Sequence, residues 1–400
     1  MRHDQARQTV LIGAGSIACL ADELRKLNAR TVALFTSPHA GRSPGYRLVR
    51  STIRSMGDVE VTNEFGAVRP HAPIADSECA AAQLADGPGG VPDALIAYGG
   101  GSVSDTAKAV SILLAEGSPL EAHCSTFTPP ATLHHVQLDA PKTPVITIPV
   151  TLSGAEVTPG GGATDANGIK RVFWDDKVAS RVLAFDPIAI TDVPASTILT
   201  TAMNGLAHCA EALYSRTATP ITDALALAGA RHFGAAMPVY AAAGPDAATP
   251  VLEELLLAAY LGGSVISNAR VGLHHAICHV LGAGFGVPHG VANTIMLPYA
   301  LEYNADQTRD KQAQFAGALA EGLGVPAAIG APRLVRVLQD RCGLPTTLAQ
   351  AGITEESLDG VAAMVMQDRG LFFNPKTVSD QREVRGVLVR ALNGVLEGAE

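Results

Sequence analysis

Short apolar runs alternate with helical stretches through the first half of the chain. Residues 31–35 (TVALF), 59–62, 94–98 (ALIAY) and 145–150 (VITIPV) are rich in β-branched and apolar side chains, which predicts buried parallel strands with helices between them. A doubly wound sheet is the expected outcome. From about Thr197 the strand pattern stops, and long Ala/Leu-rich segments such as 215–237 and 250–266 take over. That change predicts an α/β domain over residues 1–192 and an all-α domain over 193–400. The Ala/Gly/Pro stretch 241–250 reads as an interhelical loop, and no internal repeat is visible.

Composition narrows the picture. A chain of 400 residues that is 47% hydrophobic is long enough for one large or two medium cores. Its formal charge of -9 and lack of Lys/Arg blocks argue against a nucleic-acid partner and against anionic membranes. No apolar run approaches the ~20 residues of a membrane span, and the start MRHDQARQTV has no signal-peptide core behind it. A cytoplasmic protein is expected. Six scattered cysteines without a CxxC pair read as reduced core thiols; helical angles turn Cys209 and Cys278 away from the histidine faces described next.

Polar chemistry concentrates in VGLHHAICHVLGAGFGVPHG, 271–290. His275 and His279 stand four apart, so a helix carrying Leu273, Ile277, Val280 and Leu281 presents both rings on one face. Gly282, Gly284, Gly286 and Pro288 then turn the chain and bring His289 back, at the mouth of a helix predicted over 291–302. Upstream, in TAMNGLAHCAEALYS, Asn204, His208 and Glu211 fall at helical spacing. A single buried histidine is most often hydrogen-bonded core. Several together point to metal binding, proton transfer or charge stabilisation, because unpartnered ring nitrogens are costly to bury.

Two glycine-bearing segments follow predicted strands. ALIAY runs into Gly99, Gly100, Gly101 and Ser102, then a helix predicted from near Ser104 that carries Asp105 and Lys108. Such a loop lets a phosphate approach backbone N–H groups at a helix start. An ordinary tight turn has the same appearance. The second segment, PVTLSGAEVT at 149–158, offers Thr151 and Ser153 at the same sheet edge, where open α/β sheets bind ligands.

Taken in order, GGGSVSDTAKAV (99–110), IPVTLSGAEVTP (148–159), TAMNGLAHCAEALYS (201–215) and GLHHAICHVLGAGFGVPHGVANTIMLP (272–298) resemble the iron-containing alcohol dehydrogenase family. NPKTVSD (374–380) resembles its maleylacetate reductase branch. The resemblance implies a dehydroquinate synthase-like fold, with an N-terminal nucleotide-binding α/β domain, a helical C-terminal domain, and NAD(P) and substrate in the cleft between them. A homodimer is also implied. The implied cofactor residues are Ser37, Gly99, Gly100, Gly101, Ser102, Asp105, Thr151 and Ser153. The family's metal set, an Asp and three histidines, falls on Asn204, His208, His275 and His289. The departure is Asn204, since a neutral amide offers a divalent cation only a carbonyl dipole. Iron or zinc is therefore expected to be dispensable.

The implied reaction is NAD(P)H-dependent reduction of the conjugated alkene of maleylacetate to 3-oxoadipate. His208, His275 and His289 would stabilise the developing enolate, and His279 would handle the proton. Arg270 and Lys376 are candidate partners for substrate carboxylates, against ordinary surface or capping roles. Where many members close the second strand with an Asp, Ser37 stands here, so NADPH is expected to be accepted, alone or beside NADH, with His39 and Arg42 assisting. The alternatives are a metal-dependent alcohol or aldehyde oxidoreductase on another small carbonyl, and a catalytically silent nucleotide-binding module.

Overall fold

The computed structural model describes residues 2–87, 89–128, 132–326 and 328–396. The chain divides into two compact units, one made of Gln5–Thr126 with Leu133–Val193, the other built on the chain from Pro194 onward.

The strands are β1 (Thr9–Ile12), β2 (Thr31–Thr36), β3 (Glu60–Phe65), β4 (Ala94–Gly99), β5 (Thr126–Thr128), β6 (Thr132–His134), β7 (Val145–Pro149), β8 (Gly160–Thr164), β9 (Lys170–Trp174) and β10 (Val182–Phe185). Six of them form one parallel sheet in the order β1-β10-β7-β4-β2-β3, while β8 and β9 pair antiparallel. Burial explains which strands the sequence announces. Every position of β4 and β7 is buried, so both read as continuous apolar runs. The edge strands differ. β3 is largely exposed and polar toward its end, and it runs over 60–65 rather than the predicted 59–62. Neither β1 nor β10 is among the predicted strands, each being only four residues long.

In the first unit the helix Gly101–Glu116 begins directly behind the glycine loop rather than near Ser104. It packs on β4 and β7 and buries Val103, Ala107, Val110 and Leu113 in the core shared with Leu95, Ala97 and Val145.

The second unit is helical. Ala195–Tyr214 packs against Pro220–Ala243, Thr249–Ile266 and His289–Leu323, and nearly all of it from Ile198 onward is buried. Its polar residues therefore require internal partners. The predicted helical segment 215–237 starts later, at Pro220, because Thr219 and Thr222 form a reciprocal capping box with Pro220 in the first turn. Thr249–Ile266 is long and apolar enough to cross a membrane by length and composition, contrary to the expectation that no run approaches that length. Leu252, Leu255, Leu256, Ala258 and Ala259 are buried in the fold, which accounts for that composition in a core helix. The helix predicted over 291–302 spans His289–Leu323, with Thr308 at a non-helical φ of -132° dividing it. Its first half joins Leu273–Phe285, Leu358–Val365 and Gln381–Asn393 around one apolar core that includes Ile277, Leu281, Ile295, Val361 and Leu388.

Candidate functional sites

In the first unit, parallel register sets Gly99 beside Pro149, and Val150 N–H donates to the Gly99 carbonyl at 3.1 Å. The glycine loop and the 149–158 segment thus meet at the carboxyl ends of two neighbouring strands, as expected. None of the three loop glycines has a positive φ, so backbone conformation does not require them. Space does. A Cβ on Gly99 would lie 2.4 Å from Val103 Cγ2, one on Gly100 3.2 Å from Thr151 Cγ2, and one on Gly101 3.3 Å from Ala155 Cβ. The helix behind them has no side-chain cap at Gly100, which leaves its first amides and the positive end of its dipole available to an anion.

The other predicted cofactor residues have distinct settings. Ser102 Oγ accepts from the His71 N–H at 2.9 Å, fixing a neighbouring loop. Asp105 Oδ2 accepts from the Gly162 N–H at 3.2 Å, while Oδ1 has no hydrogen-bond partner among the described residues. Burial raises the Asp105 pKa against the opposing charges of Lys170 and Lys108. Ser37 Oγ accepts from the Ala40 N–H at 3.3 Å, so it shapes the turn after β2, and no carboxylate occupies the end of that strand (Phe35, Thr36, Ser37). His39 Nε2 contacts the Asp192 carbonyl at 3.2 Å.

Lys108, which carries no role in the sequence reading, is fully buried. Its ammonium donates to the carbonyls of Ala155, Glu156, Thr158 and Gly160 at 3.3, 3.2, 2.8 and 3.0 Å. It ties the segment after Ser153 to the helix that carries the glycine loop. Burial pulls its pKa down to about 8.

In the second unit, the helix Leu273–Phe285 and the start of His289–Leu323 bring the four predicted histidines together. His208 and His275 stack at 4.8 Å between ring centroids, His275 lies 6.0 Å from both His279 and His289, and the His279 and His289 rings stack at 5.9 Å. The return of His289 works as the spacing predicts, through Gly286 at φ 70° and Pro288 at the helix N-cap.

Beneath these rings is a hydrogen-bonded knot that the sequence reading only partly anticipates. Glu211 is fully buried. Its Oε1 accepts from the N–H groups of Gly272 and His274 at 2.9 and 3.1 Å, and its Oε2 faces His275 Nδ1 at 2.5 Å. The carboxylate thus caps the histidine helix from another helix, where charge and dipole reinforce each other. Burial works against its charge, but the two histidines hold Glu211 far below the usual carboxylate range. His274, absent from the predicted site, passes Nε2–H to the Asn293 carbonyl at 3.1 Å and turns Nδ1 toward His275 Nδ1 at 3.2 Å. Cys209 lies toward Gly229 in a neighbouring helix, as its angle predicts, whereas Cys278 Sγ sits 3.7 Å from His274 Nε2 and so belongs to this buried layer.

These contacts fix the chemistry of His275. With Nδ1–H directed at Glu211, the neutral ring keeps a lone pair on Nε2, and Asn204 Oδ1 lies 3.0 Å away. Two acceptors do not bond, so this pairing requires the Asn204 amide turned to present its NH2, which a carboxylate could not do. Burial lowers the His275 pKa to about 4 despite Glu211, and burial together with His275 pushes His208 well below its ordinary value. Both are neutral imidazoles. His208 Nδ1 has no hydrogen-bond partner among the described residues.

His279 is anchored differently. Its Nδ1 meets Asp368 Oδ2 at 3.0 Å, and Asp368 Oδ1 accepts from the Gly370 N–H at 2.7 Å. Burial opposes the charge of Asp368, yet His279 and the Gly370 amide hold its pKa below the usual range. Asp368 lies 89 residues beyond its partner, with no local pattern to announce it. Asn374 of the C-terminal motif accepts from the Leu273 N–H at 3.1 Å and pairs with Asn304, pinning the start of the histidine helix. Lys376 is engaged by Asp306 at 3.4 Å and by the Tyr303 ring at 4.5 Å, which supports its ordinary surface reading.

As a metal centre, the expected set of Asn204, His208, His275 and His289 fits a divalent cation poorly. The fourth group is a neutral amide, and Asn204 already meets His275 Nε2. A second set, Glu211, His274 and His275, has ligand atoms within 4.8 Å of one another. Its carboxylate oxygens are already occupied by three N–H groups, and all three residues are buried.

Comparison with known proteins places this architecture. The family model for iron-containing alcohol dehydrogenase matches residues 7–187, and that for the C-terminal part of the Fe-containing alcohol dehydrogenase family matches 198–392. A maleylacetate reductase of Sphingobium indicum is 30% identical over 98% of this chain and 97% of its own length. An NAD-dependent methanol dehydrogenase of Bacillus methanolicus is 27% identical over 96% of this chain and 97% of its own. The crystal structure of maleylacetate reductase from Agrobacterium tumefaciens superposes with a TM-score of 0.80 at 26% identity, covering 98% of both chains. The chain belongs to the iron-containing alcohol dehydrogenase family, in its maleylacetate reductase branch, and is an NAD(P)-dependent oxidoreductase.

Proposed function

We propose that this enzyme reduces the carbon–carbon double bond of maleylacetate, giving 3-oxoadipate, and that it does so without a required metal. The observation that carries the reading is the Asn204 amide 3.0 Å from His275 Nε2. It completes a neutral hydrogen-bonding site where a metal-dependent relative needs a carboxylate. Nicotinamide nucleotide is held by the N-terminus of Gly101–Glu116, the space kept by Gly99, Gly100 and Gly101, and the Asp105, Thr151 and Ser153 side chains. NADPH is accepted because the end of β2 offers Ser37 and no carboxylate to repel a 2′-phosphate.

When bound, the nucleotide supplies the hydride. The chain's residues do the rest. Hydride addition at the carbon β to the ketone leaves an enolate whose charge rests on the ketone oxygen. His208 and His289 stabilise that oxygen by hydrogen bonds from ring N–H groups, which is effective where water is excluded and donors are pre-oriented, while His275, its Nδ1–H committed to Glu211, holds the Asn204 amide beside them. His279, doubly protonated for this step, gives its Nε2 proton to the α carbon and is left as the neutral imidazole, its ring held by Asp368, which keeps Nδ1–H.

The second reading is a metal-dependent alcohol or aldehyde oxidoreductase. The unpartnered His208 Nδ1 and the Glu211–His274–His275 set favour it. NADPH and NADH oxidation with maleylacetate and with simple aldehydes, before and after chelation, separates the two. Alkene reduction by metal-free protein supports the proposal, and aldehyde reduction restored only by added metal overturns it. Nucleotide binding without turnover on either substrate class would indicate a silent module.

A further inference from the structure

The helix Gly101–Glu116 turns one side toward residues 155–162, which end the connection from β7 and begin β8. Gly101, Asp105 and Lys108 stand on that side, four and three residues apart. A Cβ on Gly101 would lie 3.3 Å from Ala155 Cβ, and one on Gly161 would lie 2.7 Å from Asp105 Oδ1. Asp105 Oδ2 accepts from the Gly162 N–H at 3.2 Å. At the far end of the same face, the Lys108 ammonium donates to the carbonyls of Ala155, Glu156, Thr158 and Gly160.

Burying an ammonium is costly unless its hydrogens find acceptors, and packing alone would be served by an apolar side chain. Three N–H groups here serve four carbonyls drawn from one short stretch. That stretch opens at Gly154, with φ 72°, into a single 3-10 turn over Ala155–Val157, and one turn satisfies few of its own carbonyls. The helix therefore grips the stretch twice, through an acceptor at Asp105 and a donor at Lys108. What it grips is the wall facing the glycine loop. Ala155 bounds the space beside Gly101, and Thr151 Cγ2 bounds that beside Gly100. A shift of 155–160 changes the gap over the first amides of the helix.

We propose that Lys108 is a positioning residue for the nicotinamide nucleotide: by holding residues 155–160 through their carbonyls, it fixes how closely the nucleotide's phosphates approach the helix N-terminus. This rests on the reading of the glycine loop as the nucleotide site. The charged groups facing the ammonium are Asp105 on its own helix and Glu156 on the held stretch, and Lys170 of β9 faces Asp105 in turn. Burial brings Lys108 down to about 8 against the charges of Asp105 and Glu156. The ammonium, and the grip with it, is therefore lost as pH rises through about 8.

The test combines calorimetric titration with NADPH and NADH and hydrogen exchange of the nucleotide-free, full-length protein, for the wild type, Lys108→Met and Glu156→Gln. Lys108→Met should raise both nucleotide dissociation constants on the order of tenfold or more, and should speed amide exchange within 151–162 ahead of the rest of the sheet. In the wild type, NADH affinity should fall as pH passes about 8. In Glu156→Gln, which removes a carboxylate that keeps the ammonium charged, the fall should begin at lower pH, and in Lys108→Met it should vanish. A purely structural lysine would lower the denaturation midpoint and leave nucleotide affinity and its pH profile unchanged, which overturns the proposal. Faster exchange with unaltered dissociation constants overturns it as well. If Lys108→Met does not fold, the pH profiles of the wild type and Glu156→Gln decide, and flat or coincident profiles overturn it. If the wild type binds neither nucleotide, the nucleotide reading itself fails and the positioning role falls with it, whatever the exchange shows.

Discussion

Replacing Asp368 by Asn tests how the site handles protons. The carboxylate accepts from His279 Nδ1 at 3.0 Å and is itself held at 2.7 Å by the Gly370 amide, so the substitution changes charge and acceptor capacity while keeping shape. An amide in the same place presents either a carbonyl, which keeps the His279 orientation without the charge, or an NH2, which forces the proton onto Nε2 and ends proton transfer to and from that atom as now arranged. A hydrogen bond to a charged group is worth about 1.5–3 kcal/mol, and a positioned general acid contributes on the order of 100- to 10,000-fold. Asp368→Asn should therefore lower kcat roughly 100-fold, equivalent to about 2.7 kcal/mol of activation free energy. Asp368 is a positioning residue in this account, so the KM for maleylacetate should stay within a few-fold and NADPH binding should not change. Single-turnover loss of NADPH absorbance measures the rate, and 15N shifts of the His279 ring report the tautomer. A kcat near wild type with an altered tautomer would refute proton handling by His279. An unaltered tautomer with reduced kcat would refute the positioning argument.

Three further outcomes are expected. Asn204→Asp removes the NH2 that satisfies His275 Nε2 and supplies the missing charge, so equilibrium dialysis should find about one zinc retained per chain where the wild type retains little; equal metal content would contradict the reading of Asn204. Gly101→Ala sets a methyl 3.3 Å from Ala155 Cβ at the helix mouth and should raise the NADPH dissociation constant roughly tenfold without changing the maleylacetate KM, since the backbone then approaches a phosphate less closely; unchanged NADPH titration would move the nucleotide site elsewhere. Glu156, fully buried, has its pKa raised by burial from 4.5 to about 7, so the folded state prefers the protonated form and loses stability as pH rises from 4.5 to about 7. Glu156→Gln should stabilise the protein by about 2–3 kcal/mol above pH 7, with the advantage fading below about 4.5; chemical denaturation that finds the same difference at both ends would exclude this cause.

Much of this architecture is visible in the sequence, for identifiable reasons. The interior strands β4 and β7 are buried along their whole length and read as apolar runs, and the Asn204, His208, His275, His279 and His289 positions follow from helical spacing and one glycine turn. What is hidden depends on long-range pairing. Asp368 reaches His279, Glu211 caps a helix from another helix, and the segment after Asp368 reaches the start of the histidine helix because Gly370 leaves room for the Gly272 carbonyl. The edge strand β1 is too short to register, and the start of Gly101–Glu116 is displaced by glycines whose purpose is space. Lys108 has an ordinary helical pattern; only the fold reveals four carbonyls around its ammonium.

The central claim is alkene reduction through neutral histidines without a required metal. The most direct measurement is maleylacetate-dependent oxidation of NADPH by protein stripped with chelator, with metal content determined on the same sample and the product identified. The account predicts 3-oxoadipate formed at an undiminished rate with far less than one metal ion per chain. Loss of activity on stripping, recovered by zinc or iron in proportion to metal bound, would contradict it.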